Sequence, residues 1–277
     1  MAKQRLDTLL VELNLCSSRQ LAQRLIRAGD VMVNQQILDK PGIEIETTAT
    51  IKVKEKPPYV SRGGEKLKKA LDEFKIPVEG RICLDGGIST GGFTDCLLQA
   101  GAKLVYGIDV GYGQVAWTLR NDQRVILRER TNIRYLKATD LYGISTTTPE
   151  QSKVYPDLGV VDVSFISLTK ILEALWNLLQ APREIILLVK PQFEVGRSRV
   201  GKKGVVRDPN DQANAIFQVL QVAQSLGWTY KGLTWSPMTG PAGNIEYLLW
   251  LEMANHSLEI DLAQVKQITL SAQKALT

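Results

Sequence analysis

A glycine-rich loop between an apolar run and a helical segment constrains this chain more than any other feature. The run 81–84 leads into Asp85-Gly86-Gly87-Ile88-Ser89-Thr90-Gly91-Gly92-Phe93, and Asp109 stands 24 residues after Asp85, at the end of the apolar run 104–108. Glycines permit a sharp turn and the close approach of a ligand, and a carboxylate after the next strand can accept two ribose hydroxyls. The pattern predicts a nucleotide-cofactor loop in an α/β domain.

The loop matches neither common phosphate-binding pattern. Two positions after Gly86 stands Ile88, and two positions after Gly87 stands Ser89, which excludes the dinucleotide fingerprint G-x-G-x-x-G. The later glycine pair lacks the Lys-Ser/Thr pair of a P-loop. The remaining pattern, Asp-x-Gly-x-x-x-Gly-Gly, favours S-adenosylmethionine, which has no phosphate, and therefore a methyltransferase. A first turn that needs glycines only for an α/β fold is the alternative.

Composition sets broader limits. The 277 residues suggest two domains, and the net charge of +5 with a pI near 9.0 favours an anionic partner. Cys16, Cys83 and Cys96 form no C-x-x-C pair and have no histidine nearby, which argues against a metal site and predicts buried reduced thiols. Because the chain shows neither a signal peptide nor an apolar run of spanning length, we expect a cytoplasmic protein without membrane contact. Its oligomeric state does not follow from the sequence.

Residues 1–56 have the pattern of an independent α+β module. Leucines at helical spacing predict a first helix: Leu6, Leu9, Leu10 and Leu13. Ser17 and Gln20, a capping-box pair, predict the start of a second helix, and Gly29 its end. Its two faces differ, with Leu21, Ala22, Leu25 and Ile26 on one side and Arg19, Gln23, Arg24 and Arg27 on the other. Two short β-branched runs, 31–34 and 50–54, follow on either side of the turn Lys40-Pro41-Gly42.

This module resembles the S4 RNA-binding domain in the motifs Arg5-Leu6-Asp7, Ser18-Arg19, 26–34 and Lys40-Pro41-Gly42. The resemblance implies that the basic face of the second helix binds structured RNA. The RNA-binding residues expected here are Arg5, Ser18, Arg19, Arg24 and Arg27, with Arg62 beyond the module. An ordinary solvated basic face is the alternative.

Two adjacent prolines place a stiff linker at 57–62, and the remaining 63–277 predict one α/β domain. An amphipathic helix carries Leu67, Ala70, Leu71 and Phe74. Strands alternate with helical segments, which predicts a mainly parallel, Rossmann-like sheet. The expected strands lie near 81–85, 104–109, 125–129, 158–163, 184–190, 229–236 and 245–252.

Charged residues stand at three of these strand ends. Asp162 follows one apolar strand, Lys190 follows another, and Glu246 opens the last. Because a lone buried charge is costly, we expect these groups to meet near the cofactor loop and form a site. A purely structural ion pair of Asp162 with Lys190 is the alternative.

Longer motifs resemble the TlyA or hemolysin A family, relatives of the FtsJ-type ribose 2′-O-methyltransferases. They lie at 61–67, 91–95, 109–114, 130–132, 162–168, 189–194 and 240–246. The resemblance implies S-adenosylmethionine as donor and a cytidine ribose 2′-oxygen of ribosomal RNA, free or in ribosomal subunits, as acceptor. It also implies a catalytic tetrad: Lys66, Asp162, Lys190 and Glu246. The cofactor residues expected are Asp85, Gly87, Ser89, Thr90, Gly91, Gly92, Phe93, Asp109, Val110, Thr131, Asn132 and Asp162.

The sequence departs from the family at Gly86 and Ile88, where relatives tend to have an aliphatic residue and an alanine. We expect Gly86 to loosen the loop and Ile88 to crowd the donor.

The side chains suggest a division of roles. Methyl transfer from a sulfonium neutralises positive charge, so the enzyme must mainly position the reactants and handle the proton of the ribose hydroxyl. We expect Lys190 to accept or steer that proton, Asp162 to orient Lys190, and Lys66 with Glu246 to position the ribose and its phosphate. Burial and the neighbouring Lys66 would favour a neutral Lys190 amine, whereas Asp162 and Glu246 would favour the ammonium. The sequence does not decide between the two protonation states.

The remaining features concern RNA and two rival functions. A loop with no acid carries Arg197, Arg199, Lys202, Lys203 and Arg207, and is predicted to be mobile and to grip phosphates. His256 is expected to face solvent. A noncatalytic ribosome-assembly protein that retains the fold is the main rival. A membrane-lytic protein is disfavoured because the sequence has no lytic helix, and the tail 257–277 predicts a docking helix.

Overall fold

The computed structural model describes residues 2–54, 57–142, 155–254 and 259–276. The chain divides into two compact units, Met1–Pro57 and Pro58–Thr277. Residues 58–62, expected to belong to a linker, are part of the second unit. There the Asp95 carboxylate accepts the Val60 amide at 2.8 Å, and Gln99 donates to the Pro58 carbonyl at 2.9 Å. Hydrogen bonds from a neighbouring helix thus fix a segment whose prolines alone suggested an extended connection. Within the described residues, no helix is long and apolar enough to cross a bilayer.

The N-terminal unit packs two helices on short strands. Its apolar core is formed by Leu6, Leu10, Ala22, Ile26 and Val31, among others. The elements are β1 (Lys3–Arg5), α1 (Leu6–Glu12), α2 (Arg19–Arg27), β2 (Val31–Val33), β3 (Gln36–Ile37), β4 (Glu44–Glu46) and β5 (Ile51–Val53). β1 pairs with β4, and β2 lies between β3 and β5. The strands β1, β3 and β4 were not predicted, because they lack the β-branched runs that marked β2 and β5.

Helix α2 begins one residue later than its capping-box pattern indicated. The N-cap is Ser18, whose hydroxyl oxygen accepts the Leu21 amide at 3.2 Å, so the prediction of Ser17 was wrong. Two adjacent serines make the pattern ambiguous, and the extended backbone at Ser18 decides between them. The predicted faces are confirmed, because Ala22, Leu25 and Ile26 are buried.

The second unit is a three-layer α/β fold around seven strands. Its strands are β6 (Ile82–Gly86), β7 (Leu104–Ile108), β8 (Val125–Arg128), β9 (Leu158–Val161), β10 (Glu184–Val189), β11 (Thr229–Trp235) and β12 (Tyr247–Glu252). Its helices are α3 (Gly63–Phe74), α4 (Gly92–Gln99), α5 (Trp117–Arg120), α6 (Ala138–Tyr142), α7 (Leu172–Leu178), α8 (Pro191–Glu194), α9 (Pro209–Ser225) and α10 (Leu262–Leu276). All seven predicted strands are confirmed, as is the C-terminal helix.

The strand order is β11-β12-β10-β9-β6-β7-β8. The five strands from β10 to β8 are parallel, and β12 runs antiparallel to β10 and β11. Because β9 lies on the other side of β6 from β7, the order in which strands are added to the sheet reverses between β6 and β9. In such sheets a crevice opens at the carboxyl ends beside that reversal, and ligands bind there.

Alternate residues of the sheet point into two apolar layers. Leu84 and Leu187 pack with α7, α9 and α10, whereas Cys83 and Ile186 pack with α3, α4 and α5. Both faces of the sheet are therefore covered, as its near-continuous apolar strands require. Cys83 and Cys96 are buried free thiols, but Cys16 is only half-buried, which corrects the expectation for that residue.

The two departures in the glycine loop are core contacts. Ile88 is buried, and a Cβ on Gly107 of β7 would lie 2.4 Å from its Cδ1. A Cβ on Gly86 would lie 3.0 Å from Ile133 Cδ1. The expectation that Ile88 crowds the donor was wrong, because Ile88 fills the space that Gly107 leaves in the core. The expectation that Gly86 loosens the loop stays a prediction.

Candidate active site

The carboxyl edge of the sheet gathers charged groups from neighbouring strands. Val189 pairs with Tyr247, and Val161 pairs with both Leu187 and Gly86. The residues that follow or precede these strand ends therefore occupy one edge. In strand order they are Glu246, Lys190, Asp162 and Asp85, with Asp109 after β7.

Lys190 and Asp162 form the first of two ion pairs. Lys190 Nζ lies 2.6 Å from Asp162 Oδ1 and donates to Ser164 Oγ at 2.8 Å. The contact with Asp162 is an ion pair without the alignment of a hydrogen bond, so Ser164 supplies the directional contact. Lys190 is 9% exposed, and Asp162 is more open. A buried amine is thus fixed by two oxygens at the end of β9.

Lys66 and Glu246 form the second ion pair. Lys66 reaches from α3, and its Nζ donates to Glu246 Oε2 at 2.5 Å. Both groups are buried, and the Glu246 main chain is held by the Ser236 amide, which donates to its carbonyl at 2.8 Å. The structure therefore brings all four predicted tetrad residues together in two pairs at one edge of the sheet.

The glycine loop approaches the end of β9 closely. At Gly87, which has φ +90°, a Cβ would lie 2.5 Å from the Asp162 carbonyl oxygen. Gly91, with φ +102°, precedes α4, and a Cβ there would lie 2.3 Å from Leu119. Both positions require glycine because of their backbone angles and their close contacts. The loop thus folds tightly between β6 and α4, as the sequence predicted.

Asp85 lies fully buried beneath this loop. Its Oδ2 accepts the Thr94 hydroxyl at 2.7 Å, while its Oδ1 has no hydrogen-bond partner among the described residues. Burial raises the pKa of Asp85 to about 7, and the charges of Asp162 and Asp109 add to this against the Thr94 hydrogen bond. A buried carboxylate oxygen without a partner is suited to a cationic ligand group such as an ammonium.

Asp109 closes the other side of the loop. Its two oxygens accept the Ser89 amide at 2.8 Å and the Gly111 amide at 2.7 Å. Its carbonyl accepts the Thr131 amide, and the Thr90 carbonyl accepts the Ala116 amide. Each carboxylate oxygen keeps a second lone pair, so Asp109 can still accept ribose hydroxyls.

The other predicted cofactor residues have mixed surroundings. Val110 is exposed beside Asp109, and Asn132 caps a 3₁₀ turn by accepting the Arg134 amide. Gly92 contacts the Ser61 hydroxyl closely, because a Cβ there would lie 2.2 Å from it. The Phe93 side chain is buried in the core with α3 and α4. Its ring is therefore structural, which corrects its assignment as a donor contact.

In the N-terminal unit a buried carboxylate organises part of the basic face. Asp7 accepts hydrogen bonds from Arg5 at 2.9 and 3.0 Å, from Arg19 at 3.1 Å and from Gln23 at 2.8 Å. The Arg5 hydrogen bond holds the pKa of Asp7 well below its usual range, with Gln23 and Arg19 assisting. Arg5 and Arg19 therefore serve the fold, although their side chains are 46% and 55% exposed. Arg24 and Arg27 are exposed, without an ion pair among the described residues.

The basic loop between α8 and α9 is more ordered than predicted. All five predicted cations on it are exposed, and Arg199 pairs with Asp211 at 2.8 Å. Val206 is buried, and its amide donates to Asn244 Oδ1 at 2.9 Å. The expectation of a mobile loop is corrected for residues 204–206, because the buried side chains of Asn244 and Gln212 satisfy backbone groups of Gly204 and Val206. His256 lies outside the described residues.

Sequence reasoning assigned no role to several residues of this edge. Phe165 is 91% exposed, has φ +64° and contacts the Phe193 ring at 5.2 Å between centroids. Ser164 and Asn244 lie two residues from Asp162 and Glu246, respectively. This two-residue spacing could have indicated that Ser164 and Asn244 belong to the site, since alternate residues of an extended segment often serve one site.

Comparison with known proteins agrees with both units. Residues 59–253 match the FtsJ-like methyltransferase model, and residues 4–51 match the S4 domain model. The chain is 48% identical to the 16S/23S rRNA (cytidine-2′-O)-methyltransferase TlyA of Mycobacterium tuberculosis over 89% of each chain. It is 46% identical to YqxC of Bacillus subtilis, provisionally named an rRNA methyltransferase, over 99% of this chain and 95% of that one. A solved structure from Streptococcus thermophilus, provisionally named a hemolysin, superposes with a TM-score of 0.72 at 41% identity, covering 99% of this chain and 97% of that one.

Proposed function

The chain belongs to the family of FtsJ-like methyltransferases, and we propose that it transfers the methyl group of S-adenosylmethionine to a cytidine ribose 2′-oxygen of ribosomal RNA. The observation that carries this proposal is the pair of lysine–carboxylate contacts beside a glycine loop, Lys190–Asp162 and Lys66–Glu246, in which both lysines are buried. An α/β fold alone needs the loop but not two buried, paired lysines at the same edge.

The residues around the loop fit the donor. Asp85 Oδ1 is a buried acceptor for its ammonium, Asp109 has free lone pairs for its ribose hydroxyls, and Gly87 leaves the main chain uncovered. When bound, S-adenosylmethionine supplies a methyl group on a cationic sulfonium. We assign Ser89, Thr90, Val110 and Thr131 to the walls of this donor site, with Gly91 and Gly92 shaping the start of α4.

Lys190 handles the proton of the ribose hydroxyl in this proposal. Asp162 and Ser164 fix its Nζ from two directions, so that the amine points in one direction when the hydroxyl arrives. A neutral Lys190 amine accepts the proton, whereas a Lys190 ammonium steers it. In both cases the reaction is accelerated because the hydroxyl oxygen is placed in line with the methyl group.

Lys66 and Glu246 position the acceptor. Their pairing keeps both buried charges compensated and presents a fixed cation beside Lys190. A fixed cation of this kind suits a phosphate or a ribose oxygen of the RNA. This division of roles leaves Lys190 for the proton and Lys66 for the sugar-phosphate.

RNA recognition falls to surfaces in both units. The exposed arginines of α2, together with Arg62, and the cations of the basic loop suit phosphates. The exposed ring of Phe165, three residues after Asp162, suits stacking with an unpaired base. The named activity of the Mycobacterium tuberculosis relative supports cytidine as the target and ribosomal RNA as the substrate.

Two measurements on the wild-type protein test this proposal. Isothermal titration should show binding of S-adenosylmethionine, and labelled donor should transfer methyl groups to ribosomal RNA in purified subunits. Binding of donor and RNA without transfer would contradict the proposal and favour a noncatalytic assembly protein that retains the fold.

A further inference from the structure

A buried amide side chain, Asn244, joins the basic loop to the segment before β12. It is 2% exposed. Its Oδ1 accepts the Val206 amide at 2.9 Å, and its Nδ2 donates to the Gly204 carbonyl at 2.8 Å. One side chain thus satisfies a donor and an acceptor of the loop backbone, as a neighbouring strand would.

The part of the loop that Asn244 holds is the stem of a turn with two lysines at its tip. The Gly204 amide donates to the Gly201 carbonyl at 2.8 Å, and the Gly201 amide donates to the Val205 carbonyl at 3.1 Å. Lys202 and Lys203 therefore occupy the two central positions, and both are exposed. Two adjacent ammonium groups on a closed turn, in a loop without acids, suit RNA phosphates.

On its other side Asn244 is tied to the tetrad. Glu246 follows two residues later and pairs with Lys66. The Asn244 carbonyl accepts the Gly240 amide at 2.8 Å, and a Cβ on Gly240 would lie 2.6 Å from Glu246 Oε1. The short turn that carries Asn244 is thus packed directly against the catalytic carboxylate, so a shift of Asn244 displaces Glu246 as well.

We propose that Asn244 is a positioning residue that fixes the separation between the RNA phosphates held by the lysine turn and the ribose held by Lys66 and Glu246. This inference rests on the proposed function. Phosphate contacts remote from the reacting atoms then help to orient the 2′-hydroxyl, rather than only to bind RNA. Loss of Asn244 is expected to lower kcat and to raise the KM for RNA, while donor affinity is retained.

Gln212 of α9 provides a matched control. Its Nε2 donates to the Val206 carbonyl at 2.7 Å, and its Oε1 accepts the Tyr247 hydroxyl at 2.5 Å. Gln212 therefore braces the same loop residue as Asn244 but does not belong to the turn packed on Glu246. Gln212→Ala keeps both hydrogen bonds from Asn244 to the loop and is therefore expected to leave kcat and the KM for RNA close to the wild-type values.

The test is a double-mutant cycle with ribosomal subunits as substrate. Asn244→Ala should reduce kcat and raise KM, each by about tenfold or more, because misplacement far from the chemistry is costly. Lys202→Ala with Lys203→Ala should likewise lower kcat and raise the KM for RNA, and it should reduce the slope of log K for RNA binding against log salt concentration by about 0.7 to 0.9 per lost contact. Adding the lysine changes to Asn244→Ala should have less than a twofold further effect, since the turn is already displaced.

Donor titration and thermal unfolding report on folding in each variant. If Asn244→Ala does not fold, Asn244→Asp enters the same cycle, because it keeps the acceptor for Val206 and removes the donor to Gly204. Independent, multiplying effects of Asn244 and the lysines, or a wild-type kcat in the Asn244 variant, would overturn the inference while wild-type methyl transfer still supports the proposed function. Absence of transfer by the wild type would instead overturn the proposed function.

Discussion

Asp85 is the residue through which we expect pH to act on the proposed donor site. Its raised pKa of about 7 comes first from burial, and an ammonium can pair with it only when the carboxyl group is ionised. As pH falls through 7, protonation of Asp85 competes with binding of the cation. We predict that the affinity for S-adenosylmethionine falls by up to about tenfold per pH unit below 7. Isothermal titration between pH 5.5 and 7.5 measures this slope.

Asp85→Asn is the control for that measurement. It retains the shape and the Thr94 contact but carries no charge, so it should bind the donor weakly and without a slope over the same range. A wild-type affinity that stays constant from pH 7.5 to 5.5 would show that Asp85 does not pair with the donor.

Single residues also mark where sequence reasoning reached its limit. Asp162, Lys190 and Glu246 were identified because a charge at the end of an apolar strand is conspicuous in the sequence, whereas Lys66 was identified only through the family resemblance. Ile88 was placed wrongly because its direction depends on Gly107, nineteen positions further on, whose missing side chain makes room for it. Phe93 was placed wrongly for a similar reason, since only packing against α3 shows that its ring is in the core.

Among the elements, helix α2 carries exposed arginines that we expect to bind RNA and an arginine that holds the fold. Arg24 and Arg27 are exposed, whereas Arg19 is hydrogen-bonded to the buried Asp7. We predict that Arg24→Ala with Arg27→Ala weakens RNA binding without changing thermal stability. The slope of log K for RNA binding against log salt concentration should decrease by about 0.7 to 0.9 per lost contact. Arg19→Ala should instead lower thermal stability, because it removes a partner from a buried carboxylate.

Filter binding at several salt concentrations and thermal unfolding provide both measurements. Unchanged salt dependence in the Arg24 and Arg27 variant would remove α2 from the RNA-binding surface. Equal thermal stability of the Arg19 variant and the wild type would contradict the structural role of Arg19.

Elements differ in how well the sequence predicted them. The long parallel strands and α3 were predicted because their apolar residues repeat regularly. The three-residue strand β4 shows no such repeat, and it pairs with β1, from which two helices and two strands separate it in the chain. The basic loop was expected to be mobile because its cations and glycines resemble a flexible segment, whereas its order comes from Asn244, some forty residues away.

At the scale of the whole molecule, one chain combines an S4 unit with a methyltransferase unit. The sequence predicted both units through two independent resemblances and through the alternation of strands and helices. It predicted that the four tetrad residues meet, but it did not predict the link from Asn244 to Gly204, which joins residues far apart in the chain. Such contacts depend on the strand order, which sequence periodicity does not specify.

The central claim is that Lys190 and its partners direct a methyl group to a ribose 2′-oxygen. The most direct measurement is digestion of the methylated ribosomal RNA to nucleosides, with mass spectrometry of the product from the wild type and from Lys190→Ala. The account predicts 2′-O-methylcytidine from the wild type and almost none from the variant, which should still bind S-adenosylmethionine. A base-methylated nucleoside, or an equal yield from both proteins, would contradict it.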